Sequence, residues 1–276
     1  MSAATGRRAW VKVPSAWVVE ARDRVGPFVT RESYRLPDGT RRLWSSRAHR
    51  KQPRAPSRRI GTLGWWIAVL FMVGSFLFAL GSFPAYADHV DLRIVGVTFF
   101  VGSLFFTSAG YLQFLQVVNA PGDLDADEDR HFRFWSFEPG RIDWCSAAVQ
   151  SVGTLLFNIS TFAAMHTAFT VTQQNRRIWA PDMFGSIAFL IASSLAWIEV
   201  CHGWWRLRPR EISWWIVALN LAGSVAFQVS AIAAFVRPAT DTMTNASLAN
   251  LGTFVGAVGF FVGALLLIPE MKEPSA

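Results

Sequence analysis

Residues 144–157 read WCSAAVQSVGTLLF, and the same register returns at 65–78 as WWIAVLFMVGSFLF and at 214–227 as WWIVALNLAGSVAF. Stacked on their aromatic starts, the three stretches bring glycine to one position, at Gly74, Gly153 and Gly223. A small hydroxyl residue follows in each (Ser75, Thr154, Ser224), then phenylalanine at Phe78, Phe157 and Phe227, and alanine at Ala85, Ala164 and Ala234. A second pattern lies between them. Gly102, Gly185 and Gly256 each precede a phenylalanine by four residues (Phe106, Phe189, Phe260), and ten residues further on stand Gln116, Glu199 and Glu270. Coincident offsets in three pairs of segments predict a two-helix unit duplicated in tandem.

The apolar residues, 52% of the 276, fall in blocks at about 64–83, 94–118, 143–169, 182–205, 212–236 and 246–268. Each is near the ~20 residues that a bilayer-spanning helix needs. Backbone polar groups in hydrocarbon must be satisfied within the segment, so the blocks predict six membrane helices. The chain starts polar and arginine-rich rather than with a short apolar core, so a cleaved secretory peptide is not expected.

Basic residues orient the spans, because Lys and Arg are retained on the cytoplasmic side. Residues 1–60 hold fifteen of them; Arg130, Arg133, Arg141, Arg206, Arg208, Arg210 and Lys272 fall on the same side, and only Arg93, Arg176, Arg177 and Arg237 fall opposite. Both termini are therefore expected in the cytoplasm, with the tryptophans at 65–66, 204–205 and 214–215 at the interface.

The first sixty residues read as a basic cytoplasmic arm, weakly ordered or with a small hairpin from Phe28 to Trp44 around Pro37-Asp38-Gly39. Its last stretch, including Arg50, Lys51, Arg54, Arg58 and Arg59, abuts the first span and is expected to attract anionic lipid headgroups. Nothing in it resembles a recognition helix or stacking platform, so nucleic acid is not an expected partner. The loop 121–141 carries Asp123, Asp125, Asp127, Glu128 and Asp129. It lacks the internal glycine and twelfth-position glutamate of a calcium loop, and reads as a solvated acidic segment.

Steps of three and four along the odd helices define one small-residue face each, which is expected to point inward and allow close packing. At equivalent positions on these faces stand Phe71, Gln150 and Asn220. Gln150 and Asn220 lie six residues inside Trp144 and Trp214, about 9 Å deep at ~1.5 Å per residue. Glu199, five residues before Trp204, has similar depth on the fourth span. An ionisable group within a span is a functional candidate because its burial is costly unless it is paired, hydrated or protonated. Gln150, Asn220 and Glu199 are thus the candidate ligand-binding set; a structural hydrogen-bonding role for the same groups is the competing reading. Glu270 follows Pro269 near the chain end and is expected to be solvated.

Glu199 and His202 have the spacing of a helical di-iron pair, but the second pair and extra glutamates are missing. No Ser–His–Asp set, phosphate loop or dinucleotide pattern occurs, so no catalytic residue, metal or cofactor is expected. Cys145 and Cys201 read as packing thiols. Gly252, Gly256, Gly259 and Gly263 form two Gly-x-x-x-Gly spacings, for packing within the chain or for a homo-oligomer.

The segment Thr98–Ser108 (TFFVGSLFFTS), preceded by the helix Trp65–Phe78, resembles the YrhK-like domain, a small two-helix membrane module. The whole chain, with Trp44-Ser45-Ser46-Arg47, His49-Arg50-Lys51 and Glu199-Val200-Cys201-His202-Gly203-Trp204-Trp205, is similar to integral membrane proteins of actinobacteria that contain this module. The resemblance implies a membrane hairpin and a bacterial plasma-membrane setting, and supplies no activity or catalytic residue.

The expected fold is all-α: six transmembrane helices as three tandem parallel hairpins, about a pseudo-threefold axis along the membrane normal. The expected divisions are 1–60 (arm), 61–120 (first hairpin), 121–141 (acidic loop), 142–206 (second hairpin) and 207–276 (third hairpin and tail). The expected function is binding or passage of a small solute, ion or lipid through a polar intramembrane pocket; the alternative is a non-catalytic membrane scaffold or interaction protein.

Overall fold

The computed structural model describes residues 13–51, 58–120, 132–166 and 168–271. The acidic run 123–129 and Arg54 lie outside the described residues, as do the side chains of Arg50, Arg58 and Arg59.

The N-terminal residues form an antiparallel meander, β1 (Val18–Val25), β2 (Phe28–Arg35) and β3 (Arg41–Ser45), in that spatial order. The hairpin around Pro37-Asp38-Gly39 is thus the second half of a three-stranded sheet. Gly39 takes the left-handed conformation the turn demands (φ +84°), and Asp38 accepts from the Thr40 N–H at 2.9 Å and its hydroxyl at 2.7 Å. Val29, Tyr34 and Trp44 form a small core with Trp17 beside it. Within it, Glu32 accepts from the Tyr34 hydroxyl and from Arg22. Burial, reinforced by Glu32, pushes the Tyr34 phenol far above its ordinary range.

A short helix α1 (Ser46–Lys51) leads from the sheet to the bundle. Among the described residues six helices are long and apolar enough to cross a membrane, the signature of a multi-pass membrane protein. They are α2 (Arg58–Ser82), α4 (Leu92–Val118), α5 (Ile142–Ala164), the continuous helical segment Val171–Cys201, α8 (Ile212–Ala233) and α9 (Ala246–Glu270). The segment Val171–Cys201 comprises α6 (Val171–Gln174), a π-helical turn (Asn175–Trp179) and α7 (Ala180–Cys201). A short helix α3 (Pro84–His89) joins α2 to α4, and the two-residue strands β4 (Val236–Arg237) and β5 (Thr242–Met243) pair between α8 and α9. Each long helix packs against the next, and α9 closes the ring against α2. The sheet and α1 sit at one end of the ring, here the proximal end; α3 and the β4–β5 hairpin lie at the distal end.

Each chain-consecutive pair closes through a reciprocal glycine–phenylalanine contact. A Cβ on Gly74 would stand 3.0 Å from the Phe106 ring, and one on Gly102 would stand 2.9 Å from Phe78. The corresponding distances are 2.8 Å for Gly153 to Phe189 and 3.0 Å for Gly185 to Phe157; in the last pair they are 3.0 Å for Gly223 to Phe260 and 2.8 Å for Gly256 to Phe227. Only glycine lets the backbones approach this closely while a ring fills the adjoining space. All four glycines Gly252, Gly256, Gly259 and Gly263 face α8 of the same hairpin.

The six rings meet at the centre as two stacked triangles. Phe78, Phe157 and Phe227 are separated by 6.3, 6.3 and 6.0 Å, and Phe106, Phe189 and Phe260 by 6.2, 6.1 and 5.4 Å. Rings of the same hairpin stand 5.0 to 5.5 Å apart between the layers. Because odd helices run towards the distal end and even helices return, the first triangle is the distal one. All six side chains are buried, and their edge-to-face, tilted and stacked contacts make an apolar core across the ring.

Candidate functional site

The odd helices bring Phe71, Gln150 and Asn220 to one level, three residues before their glycines, and all three line a single cavity proximal to the phenylalanine core. The cavity has a volume of about 70 Å³. Phe260 of the proximal triangle forms part of its floor, Gln113 and Gln116 of α4 and Ser193 of α7 its walls, and Arg47 and Lys51 of α1 part of its roof. The sheet-bearing segment thus covers the mouth that the helices leave open.

Polar groups around this chamber divide into two kinds. The serines are tied to the helices: Ser146 donates to the Ala192 carbonyl at 2.9 Å, and Ser193 pairs with the Ser224 hydroxyl at 2.7 Å. The amides are not. Among the described residues, the side-chain amides of Gln113, Gln116, Gln150 and Asn220 make no hydrogen bond, and the Asn220 Oδ1 is buried without a donor. A buried amide oxygen ordinarily has a partner, so the unpaired Asn220 Oδ1, with the half-buried amides of Gln113, Gln116 and Gln150 around the same space, marks that space as polar.

Glu199, 1% exposed, is absent from the wall of this cavity, whose nearest residue on its helix is Ala196. The structure therefore brings Gln150 and Asn220 together and places Glu199 outside that space. Of its two repeat-register equivalents, Gln116 lines the chamber. Glu270 is buried, a correction to its expected solvation: Arg47 donates to it at 2.9 and 3.3 Å, and Lys51 and the Ser213 hydroxyl also bond it. Lys51 is thus directed at a carboxylate of the last helix.

A second ion pair anchors the proximal rim. Arg141, buried at the start of α5, donates to Asp143 at 2.7 and 3.2 Å, to Glu138, and to the Val117 carbonyl at 3.0 Å, which satisfies the end of α4. Burial by itself favours the neutral forms of Arg141 and Glu138; their ion pairs outweigh it, raising the arginine and lowering the glutamate. Asp143, which also borders the chamber, is ion-paired with this arginine.

The sheet is further docked by Thr30, whose hydroxyl lies 2.9 Å from the His202 Nδ1, and by Asp23 with Arg206 at 3.4 Å. His202 ends α7 in the left-handed conformation (φ +51°). Burial, then the charges of Arg208 and Arg31, lowers its imidazole to about 4, so it is neutral at physiological pH. Among the described residues no group of three or more His, Cys, Asp or Glu is placed to hold a metal ion, and Cys145 and Cys201 are unlinked.

Two features escaped the sequence reading. The Arg47–Lys51–Glu270 cluster joins residues with no shared periodicity. Asp182 stands at the first position of the apolar block 182–205, whereas the helical segment begins at Val171 and carries Asp182 within it. Its register, three residues before Gly185 and equivalent to Phe99 and Thr253, was the available signal. Comparison with family models, curated proteins and solved structures finds no match to the chain.

Proposed function

We propose that this is a multi-pass membrane protein that binds a small ion with its water in the proximal chamber, beneath the docked N-terminal sheet. The observation that carries the reading is the convergence of four unpaired amides on one cavity. Size narrows the ligand. A bound water needs roughly 10–15 Å³ of such volume, so about 70 Å³ holds a handful of waters or an ion with part of its shell. Drug-sized ligands occupy pockets of roughly 300–1,000 Å³, which argues against a lipid or large solute. The phenylalanine triangles oppose free passage and favour a binding or gated role.

The reciprocal glycine–phenylalanine contacts support descent of the three hairpins from one duplicated unit, and YrhK-like kinship would make the first hairpin its simplest form. With Lys and Arg concentrated proximally, the sheet and both termini belong on the cytoplasmic face of a bacterial plasma membrane, where the basic residues before the first span meet anionic headgroups. The packed core also favours the scaffold alternative, in which the chamber is only a hydrated packing defect.

Thermal unfolding of the detergent-purified protein, in chlorides of lithium, sodium and potassium and in sodium fluoride, bromide and nitrate at constant ionic strength, separates the two. Ion binding raises the midpoint for particular ions, by mass action, and Asn220→Leu and Gln150→Leu abolish the difference. A midpoint indifferent to ion identity, with variants as stable as wild type, sinks the ion-site reading and leaves the scaffold.

A further inference from the structure

We propose that Asp182 is a proton-binding site on the distal side of the phenylalanine core, resting as the neutral carboxylic acid. This site is separate from the proximal chamber and does not depend on it. Asp182 precedes Gly185 by three residues and so stands about 4.5 Å nearer the distal end at ~1.5 Å per residue. Gly185 packs on Phe157 of the distal triangle, which puts Asp182 just beyond that triangle.

Its place around the helix is interior. Gly185, Ser186, Phe189 and Ser193 are buried on the arc that contains Asp182, while Phe184, Ile187 and Ile191 on the opposite arc are 61%, 38% and 48% exposed. Asp182 itself is neither fully buried nor exposed.

Among the described residues no positive charge is paired with it. Among the described residues Asp182 makes no hydrogen bond or ion pair. Of the helices packed against α7, α5 has only Asp143 as a charged residue, at its proximal start, α8 has none from Ile212 to Ala233, and α1 touches α7 at the proximal end, where its Arg47 and Lys51 bond Glu270. Arg176 and Arg177 lie in the preceding π-helical turn, and the Arg177 guanidinium stands over the Phe169 ring at 5.1 Å. An ionised carboxylate without a partner at this depth is strongly disfavoured, and a bound proton removes the cost without recruiting another residue.

The local backbone and a neighbouring amide are consistent with a specialised position. The Ala180 N–H bonds the Asn175 carbonyl across a π-turn, a geometry enriched at functional sites, and Pro181 follows with no N–H to continue the ladder. On the facing α8, Gln228 donates to the Met183 sulfur at 2.9 Å, and its Oε1 is buried without a donor. Two stacked triangles of rings separate Asp182 from the proximal chamber, so its proton exchanges with the distal side.

The test uses the full chain in detergent and N,N′-dicyclohexylcarbodiimide, which adds to a protonated carboxyl in an apolar setting. The acid oxygen bonds the carbodiimide carbon, the acid proton passes to a nitrogen, and nothing leaves; rearrangement to the N-acylurea keeps the whole reagent mass. Peptide mapping is expected to find one reagent on Asp182, with a rate falling on the order of tenfold for each pH unit above the titration midpoint. Asp182→Asn, checked for unchanged helical content, is expected to lose that adduct. Failure of the folded wild type to label at Asp182 at any pH overturns the proposal. So does labelling that sodium or lithium suppresses at constant pH, since the group would then be a cation site.

Discussion

The Arg47 Nε lies 2.9 Å from the Glu270 Oε1 across 223 residues of sequence, joining the helix below the N-terminal sheet to the last turn of the last span. Lys51 bonds the same carboxylate, whose side chain is only 5% exposed. Removing one member of such a buried cluster leaves charges unpaired, at a cost of roughly 3–5 kcal/mol. Glu270→Gln is therefore expected to lower the unfolding midpoint and to speed tryptic cleavage at Arg47 and Lys51. Digestion at the wild-type rate would show that the cluster does not hold the sheet down.

The central contacts predict a coupling. An alanine at Gly153 would bring its Cβ to 2.8 Å from the Phe189 ring and 3.2 Å from the Ala188 Cβ, with Phe189 packed among Phe106, Phe157 and Phe260. Gly153→Ala is expected to destabilise by about 1–3 kcal/mol through overpacking. Phe189→Leu should cost stability alone yet relieve the clash, so the double variant is expected to be less damaged than the sum, as a double-mutant cycle in thermal unfolding can read. Strict additivity would mean that the ring and the glycine do not share a constraint.

How much of this was legible follows from which features repeat. The spans and the glycine–phenylalanine offsets are periodic, and the stripe through Gln150 and Asn220 follows from steps of three and four. The sheet was half legible: the Pro37-Asp38-Gly39 turn marks β2 and β3, but β1 alternates weakly, and its first two residues, Val18 and Val19, are both exposed, at 62% and 43%. Contacts between distant segments leave no local trace. Glu270 looked solvated because a proline and the chain end flank it, and the basic residues that bury it lie more than two hundred positions earlier. Glu199 shares the depth of Gln150 and Asn220, yet depth does not fix azimuth, and it is Ala196 that reaches the chamber.

His202 gives the docked sheet a pH dependence. Its imidazole falls from an ordinary 6.5 to about 4 in the folded protein, first through burial. Between those values the unfolded chain binds a proton that the folded protein does not, so stability decreases as pH falls from about 6.5 towards 4 and is insensitive to this group at higher pH. His202→Asn removes the titration while tolerating the left-handed backbone. The difference between wild-type and variant unfolding midpoints is expected to vary across that window alone. A constant difference would remove His202 as the cause.

Gly263 controls the chamber from outside its polar set. A Cβ at this position would stand 2.5 Å from the Asn220 Oδ1 and 3.6 Å from the Ile216 carbonyl, so Gly263→Ala must displace the Asn220 side chain or part α8 from α9. The amide is the flexible partner, and every lining side chain is retained. If the chamber binds an ion through oriented amides, this substitution should weaken the ion-specific rise in unfolding midpoint nearly as much as Asn220→Leu, while its midpoint without the favoured ion moves by about 1–3 kcal/mol in equivalent stability. A full ion response in Gly263→Ala, alongside its loss in Gln150→Leu, would place the binding geometry on Gln150 and the α4 glutamines and away from Asn220. Loss of the response in both, with helical content unchanged, would show that α5 and α8 act on one ligand from opposite walls.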